Sequence, residues 1–250
     1  MIFSQTKLYN ELMLQMGVIQ LKFDIKKIKL FNNLSDIDIN NIIKHSTIKK
    51  YKKTDLVFAE KEKLQYFYFI LEGIASLYKP NKDDNGKKVL FLLGEGELLN
   101  ELILDDEPSI LSCELLTEGT LLILNKNIFI DLLKTNFNLC KSLINLMITR
   151  EKRMIHQIKT NSSTMTVDRQ LAFKLWKLGK DFGKTTIDGI EINFDLSITY
   201  LAEILGNKRE TISRQMKLLV NNSFISVYRK RVTIKNPEGL LNYFRYGLKN

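Results

Sequence analysis

The 250-residue sequence predicts an α+β chain: a β-rich first half, one long helix, then a helix-turn-helix followed by a basic hairpin. Three observations carry this expectation. Between Leu56 and Leu124, short runs of aromatic and branched residues are broken by Gly73, Gly86, Gly94, Gly96 and Gly119, the punctuation of an all-β barrel or sandwich. From Asn136 to about Lys159, apolar residues recur at three-to-four spacing, the period of a helix. Beyond Met165, two helical segments flank Gly206 and lead into two strand-like runs joined by Arg229-Lys230-Arg231, a winged helix-turn-helix pattern.

Taken in order, residues 1–25 form an N-terminal extension whose first 23 residues are amphipathic and carry no recognisable role. They lack a basic region leading into an apolar block with a small-residue cleavage site, so no secretion signal is expected. Residues 26–135 form the β-rich domain. It opens on "LSDIDINNIIKH", where Ser35 can cap a short helix bearing Ile37, Ile39, Ile42 and Ile43. "KDDNGKK" signals a hairpin turn, because Asn85-Gly86 tolerates positive φ. Residues 136–162 form a long helix and hinge. Cys140, Ile144, Met147, Met154 and Ile158 make one apolar stripe and Leu139, Leu143 and Leu146 another. A helix with two stripes must bury both, so one is expected to face the β domain and the other a second copy of the chain, with an ordinary core helix of a monomer as the alternative that Glu151 within the seam leaves open. The polar break "TNSSTM" leads into residues 163–250. There "VDRQLAFKLWKLGKDFG" is a helix ending at Gly183, Ile190 to Phe194 a strand, "SITYLAEILG" a helix, and the next helix starts near Arg209.

Composition limits the function. Hydrophobic content of 44% with 26% charged residues is that of a globular chain. No apolar run approaches the roughly 20 residues of a membrane span, so no membrane partner is expected and the chain is placed in the cytoplasm. Cys113 and Cys140 are far apart with no neighbouring histidines, which leaves no metal-ligand cluster. The net charge is +10, and its distribution matters more than its size. Residues 164–250 carry 15 Lys and Arg against 8 Asp and Glu, net +7, while residues 1–163 carry 23 against 20, net +3. The excess sits around the helix-turn-helix, where a polyanion would bind.

In the second helix of that motif, Ile212, Met216 and Leu219 fall at i, i+4 and i+7 and face a core. Arg209, Glu210, Ser213, Arg214 and Lys217 are left to face outward. Arginine can donate two hydrogen bonds to guanine, and glutamate can accept one from cytosine N4, so Arg209, Glu210, Ser213 and Arg214 form a base-reading set suited to a DNA major groove. Lys208, Lys217, Arg229, Lys230 and Arg231 are the candidates for DNA phosphates. Glu210 and Arg214 are also an i, i+4 ion pair in the favourable order, worth only about 0.2–0.5 kcal/mol to a solvated helix. The basic wing and the charge skew favour the DNA reading over that plain one.

"LSITYLAEILGNKRETISRQMKLLVNNSFI", with its Arg-Glu-Thr-x-x-Arg core, resembles the DNA-binding segment of the Crp/Fnr family of bacterial transcription regulators. "LFNNLSDIDINNI", "YFYFILEGIASLY" and "FLLGEGELLNELIL" are similar to that family's cyclic-nucleotide-binding-type β-barrel, a jelly roll, so the resemblance covers nearly the whole chain. It implies a homodimer that binds palindromic double-stranded DNA with half-sites resembling TGTGA or TTGA, meets RNA polymerase, and is governed by a small-molecule effector. Family members that bind cyclic nucleotides use a glutamate for the ribose and an Arg-Ser pair for the phosphate. Glu101 matches the glutamate, but Asn100 replaces the usual glycine. Ile110, Leu111 and Ser112 stand where the Arg-Ser pair is expected, with Asp105, Asp106 and Glu107 adding negative charge. Glu101, Asn100 and Ser112 are the effector-pocket candidates. A cyclic nucleotide is disfavoured by that missing cation. An iron–sulfur cluster is disfavoured by the presence of only two cysteines, and haem by the isolation of His45 and His156. The effector and the choice between activation and repression stay unassigned. No nucleophile elbow, phosphate-binding glycine loop or His/acid cluster suggests an enzyme, and no catalytic residue is expected. The alternative to a regulator is a ligand-binding or protein-interaction module whose winged helix no longer reads DNA.

Overall fold

The structure, a computed structural model, describes residues 25–81, 86–160 and 165–247. The first 23 residues and most of the Asn85-Gly86 turn and of the "TNSSTM" break lie outside the described residues. The chain forms two compact units: Met1–Leu77 with Leu92–Thr149, and Tyr78–Phe91 with Arg150–Asn250.

The first unit begins with a 3-10 turn at Lys29–Phe31 and helix α1, Asp36–Lys44. The Ser35 hydroxyl accepts from the Asp38 amide, which satisfies one of the amides left open at a helix start. Ile39 and Ile42 are buried, whereas Ile37, expected on the same apolar face, is 81% exposed. The β-rich part is not one closed barrel. Strands β1 (Ser46–Tyr51), β7 (Gly119–Asn125) and β3 (Tyr66–Glu72) form a sheet in the order β1-β7-β3. Strands β2 (Leu56–Phe58), β6 (Ser112–Leu115), β4 (Ala75–Pro80) and β5 (Lys87–Leu93) form a second, in the order β2-β6-β4-β5. The result is jelly-roll-like, with β3 and β7 buried on both faces over part of their length: Phe69, Ile70 and Leu71 in one, Leu121 and Leu122 in the other.

Its core is an aromatic cluster. Phe31, Phe67, Phe69 and Phe129 lie with ring centroids 4.5–6.4 Å apart, tilted or edge-on, as ring quadrupoles prefer. Phe129 comes from helix α2, Lys126–Thr135, which the sequence reading had absorbed into the β region. Gly96 lies at φ +78°, where an added Cβ would stand 2.5 Å from the Lys27 carbonyl. That tight approach brings the entering chain against the loop after β5.

Helix α3 runs from Phe137 to Thr160. The Asn136 side chain accepts from the Leu139 amide at its start. Leu139 and Leu143 are buried, whereas Leu146, the third residue of that stripe, is half-buried.

In the second unit, helix α4 (Val167–Phe182) packs against a sheet ordered β10-β11-β9-β8. These strands are β8 (Gly183–Thr186), β9 (Gly189–Ile192), β10 (Ile225–Tyr228) and β11 (Arg231–Ile234). Gly179 costs helix propensity but admits Ile234, whose Cδ1 lies 2.4 Å from where a Cβ would be. Helices α5 (Ile198–Leu205), α6 (Arg209–Asn221) and α7 (Pro237–Tyr246) complete the unit. Neither α7 nor β8 was expected. Arg169 ties α7 to α4 by donating to the Phe244 and Arg245 carbonyls at 2.8 and 2.6 Å. Phe173 stacks on Phe244 at 4.4 Å.

Candidate nucleic-acid interface

Helices α5 and α6 are joined by Gly206, Asn207 and Lys208. The Ser197 hydroxyl caps the first helix by accepting from the Tyr200 amide, and Gly206 ends it at φ +68°. That left-handed conformation, nearly free of cost only for glycine, turns the chain sharply enough to start a second helix after two residues.

Helix α6 separates its chemistry by face. Ile212, Met216 and Leu219 are buried against the unit's core. At about 100° per residue, Arg209, Glu210, Ser213, Arg214 and Lys217 span an arc of about 140° on the other side. Lys208, Arg209, Glu210, Arg214 and Lys217 are exposed and Ser213, within the same arc, is half-buried. The structure therefore brings the four predicted base-reading residues together on one outward surface. Lys208 occupies the N-cap position without a side-chain cap bond, so the N-cap residue supplies no acceptor to the first-turn amides of α6 at the positive end of the helix dipole.

The wing is a two-residue hairpin. Arg229 and Lys230 both take positive φ, +45° and +70°, the conformation that matches the twist of the flanking strands. Both side chains are exposed. Arg231 differs. Expected in the turn, it is the first residue of β11, and its guanidinium pairs with Asp195 at 3.2 Å. An arginine already matched to a carboxylate offers a phosphate less charge than its two neighbours. Tyr228, 70% exposed with the Arg229 guanidinium 5.3 Å from its ring centre, adds an amphipathic surface that the sequence reading missed. Its position at a strand end beside two basic residues was the available signal.

The effector-pocket candidates occupy the first unit. Asn100 is buried and spends its amide on β3, accepting from the Tyr68 amide at 3.0 Å and donating to the Tyr66 carbonyl at 2.8 Å. It thus clamps the start of the 3-10 turn to β3. Glu101 is buried at the start of a 3-10 turn, Glu101–Asp105. The Ser112 hydroxyl, also buried, accepts from the Glu60 amide at 2.9 Å. The buried cation near this turn is Lys126, whose ammonium donates to the Ile103 carbonyl and to the Asp106 carboxylate, both at 2.5 Å. The residues at the phosphate position are thus an aliphatic pair and a hydroxyl already engaged, and they do not fit a cyclic nucleotide. Cys113 is fully buried, and burial pushes its thiol pKa well up, which suits packing rather than reactivity. Among the described residues no group of three or more His, Cys, Asp or Glu could hold a metal. No helix there is long and apolar enough to cross a membrane.

Comparison with known proteins agrees with both halves. Residues 48–136 match the cyclic nucleotide-binding domain and residues 169–243 the Crp-like helix-turn-helix domain. The chain is 37% identical over 67 residues to the global nitrogen regulator of Synechococcus elongatus, a match covering 27% of this chain and only 30% of that protein. It is 26% identical over 194 residues to the cAMP-activated global transcriptional regulator CRP of Haemophilus influenzae, covering 76% of this chain and 84% of the relative. Among solved structures, FixK2 from Bradyrhizobium japonicum superposes with a TM-score of 0.68 at 16% identity, covering 79% of this chain and 96% of its own. The c-di-GMP responsive global regulator CLP of Xanthomonas campestris gives 0.69 at 18% identity, covering 80% and 99%. At such identities the structural likeness establishes the fold.

Proposed function

Because the chain belongs to the Crp/Fnr family of bacterial transcription regulators, we propose that it is a homodimeric, sequence-specific DNA-binding regulator acting in the cytoplasm. The observation that carries this reading is the outward set Arg209, Glu210, Ser213 and Arg214 on a helix whose opposite side is buried. Arginine and glutamate together can distinguish guanine from cytosine, so the face suits a sequence reader better than a general phosphate binder. Lys208, Lys217, Arg229 and Lys230 surround it as phosphate contacts, with Arg231 as a contributor already paired to Asp195.

Dimerisation through α3 is supported by its outer stripe. Ile144, Met147, Met154 and Ile158 are 42–71% exposed and Ile148 and Ile155 extend the same surface, while Cys140 is half-buried at its edge. A run of apolar residues along two-thirds of a helix is what a second copy would cover. The jelly roll is the sensor. The region around Glu101, Asn100 and Ser112 is where an effector would act, and the aliphatic Ile110 and Leu111 with the engaged hydroxyl of Ser112 suit a cyclic phosphate poorly. RNA polymerase is the protein partner a regulator meets at a promoter.

Selection of bound duplexes from a random DNA pool by the purified protein tests the reading. Enrichment of a palindrome with GA-containing half-sites supports it. Retention of all sequences equally, with affinity set by salt alone, would mean that the face binds phosphate without reading bases.

A further inference from the structure

Strand β5 belongs by sequence to the jelly roll, yet residues Tyr78–Phe91 group with the DNA-binding unit. Four successive contacts explain why. The Arg150 guanidinium lies 5.9 Å from the ring centre of Phe91, and Gln157, two turns further along α3, donates to the Leu90 carbonyl at 3.0 Å. The Lys88 ammonium donates to the Ile204 carbonyl at 3.0 Å, and the Lys87 ammonium sits 5.6 Å from the ring centre of Tyr200. β5 thus touches the C-terminal half of α3 through one end and α5 through the other.

The Lys88 contact is the specific one. Ile204 is in the last turn of α5, where carbonyls lack a helical partner and a cation is favoured by the helix dipole. The Gly206 and Asn207 amides both go to the Ala202 carbonyl, so Ile204 needs a donor from elsewhere. A Cβ on Gly206 would lie 2.6 Å from the Lys88 nitrogen, so the turn glycine serves both positive φ and the room for this ammonium. Burial lowers the Lys88 pKa, as expected for an ammonium held against protein rather than water.

We infer that Lys88 is a positioning residue for DNA recognition: it fixes the α5–α6 turn relative to α3 and so sets the separation of the two recognition helices in the dimer. This rests on the proposed regulator function. A palindrome is bound at two points at once, so a fixed separation lowers the entropy lost on binding and penalises duplexes with the wrong spacing.

The test compares wild type, Lys88→Met and Lys88→Arg on the selected palindrome, on duplexes with the half-sites moved one base pair closer or farther, and on a single half-site. Lys88→Met is expected to bind the native spacing about three- to tenfold more weakly, to discriminate less between spacings, and to bind the half-site unchanged. Lys88→Arg, which keeps a donor, should recover most of the discrimination. An unchanged spacing profile, or tighter binding by Lys88→Met, would overturn the inference. Hydrogen exchange at Leu205, Gly206 and Asn207 separates this from the DNA reading. It should quicken in Lys88→Met and return in Lys88→Arg even if no palindrome is found, and unchanged exchange would overturn the positioning role whatever the DNA result.

Discussion

Arg214 is exposed near the middle of α6, on the face away from Ile212 and Met216. Its truncation therefore disturbs no packing. Arg214→Ala should cost about 1–3 kcal/mol at the selected site and relax preference at one base pair of each half-site. A panel of single-base variants in a competition assay reads this directly, and an equal loss on all of them would assign Arg214 to phosphate instead. Lys174 gives a different residue-scale prediction. Burial first, then the neighbouring ammonium groups of Lys177 and Lys88, lower its pKa to about 8, against an ordinary 10.5. Below about pH 8 both folded and unfolded chains hold the proton, so the cost of desolvating this half-buried ammonium is fully present. Between pH 8 and 10.5 the unfolded chain holds more protons, so this group adds stability as pH rises. Lys174→Met should accordingly stabilise the protein on the order of 1–3 kcal/mol at pH 7, with the advantage shrinking toward pH 10.5. Denaturant melts of both proteins across that range measure it.

At the scale of elements, α3 bears the larger claim. Met147 and Ile158 are 42% and 71% exposed, so a charge at either position should leave the fold intact while opposing a second copy. Met147→Glu is expected to sediment as a monomer and to lose most affinity for a palindrome; a dimer of unchanged stability would place the interface elsewhere. The elements that were legible in the sequence had both a period and a stop signal. Helix α5 has Ser197 before it and Gly206 after it, and α6 has its buried stripe at helical spacing. Helix α2 had neither advantage. "KNIFIDLLKT" is a short apolar run beside a strand, and such runs do not distinguish helix from strand by periodicity. Its Asn125 cap, accepting from the Asn127 amide, is visible only once the helix is known. For α7 the signal existed in "NPEGLL": Asn236 caps the helix by accepting from the Gly239 amide, and Pro237 opens it. The wing shows the limit for side chains. That Arg231 would be bound to Asp195, 36 positions earlier, depends on β11 lying beside the loop after β9, which no local pattern encodes.

For the whole molecule, sequence and structure divide the labour differently. The proposed reader is legible because base recognition needs a fixed set of side chains on one helix face, and Arg209, Glu210, Ser213 and Arg214 fall within six consecutive positions. The sensor is not, because an effector site is assembled from separate segments. Asn100, Glu101 and Ser112 looked like pocket residues by resemblance, yet the amide of Asn100 and the hydroxyl of Ser112 are used by neighbouring backbone. In the proposed dimer, two copies joined along α3 place two recognition helices on one palindrome. Hydroxyl-radical footprinting of the selected duplex tests it most directly. Two equal protected patches related by the dyad and centred about 34 Å apart on one face of the DNA are expected. A single patch, or uniform weak protection along the duplex, would contradict it.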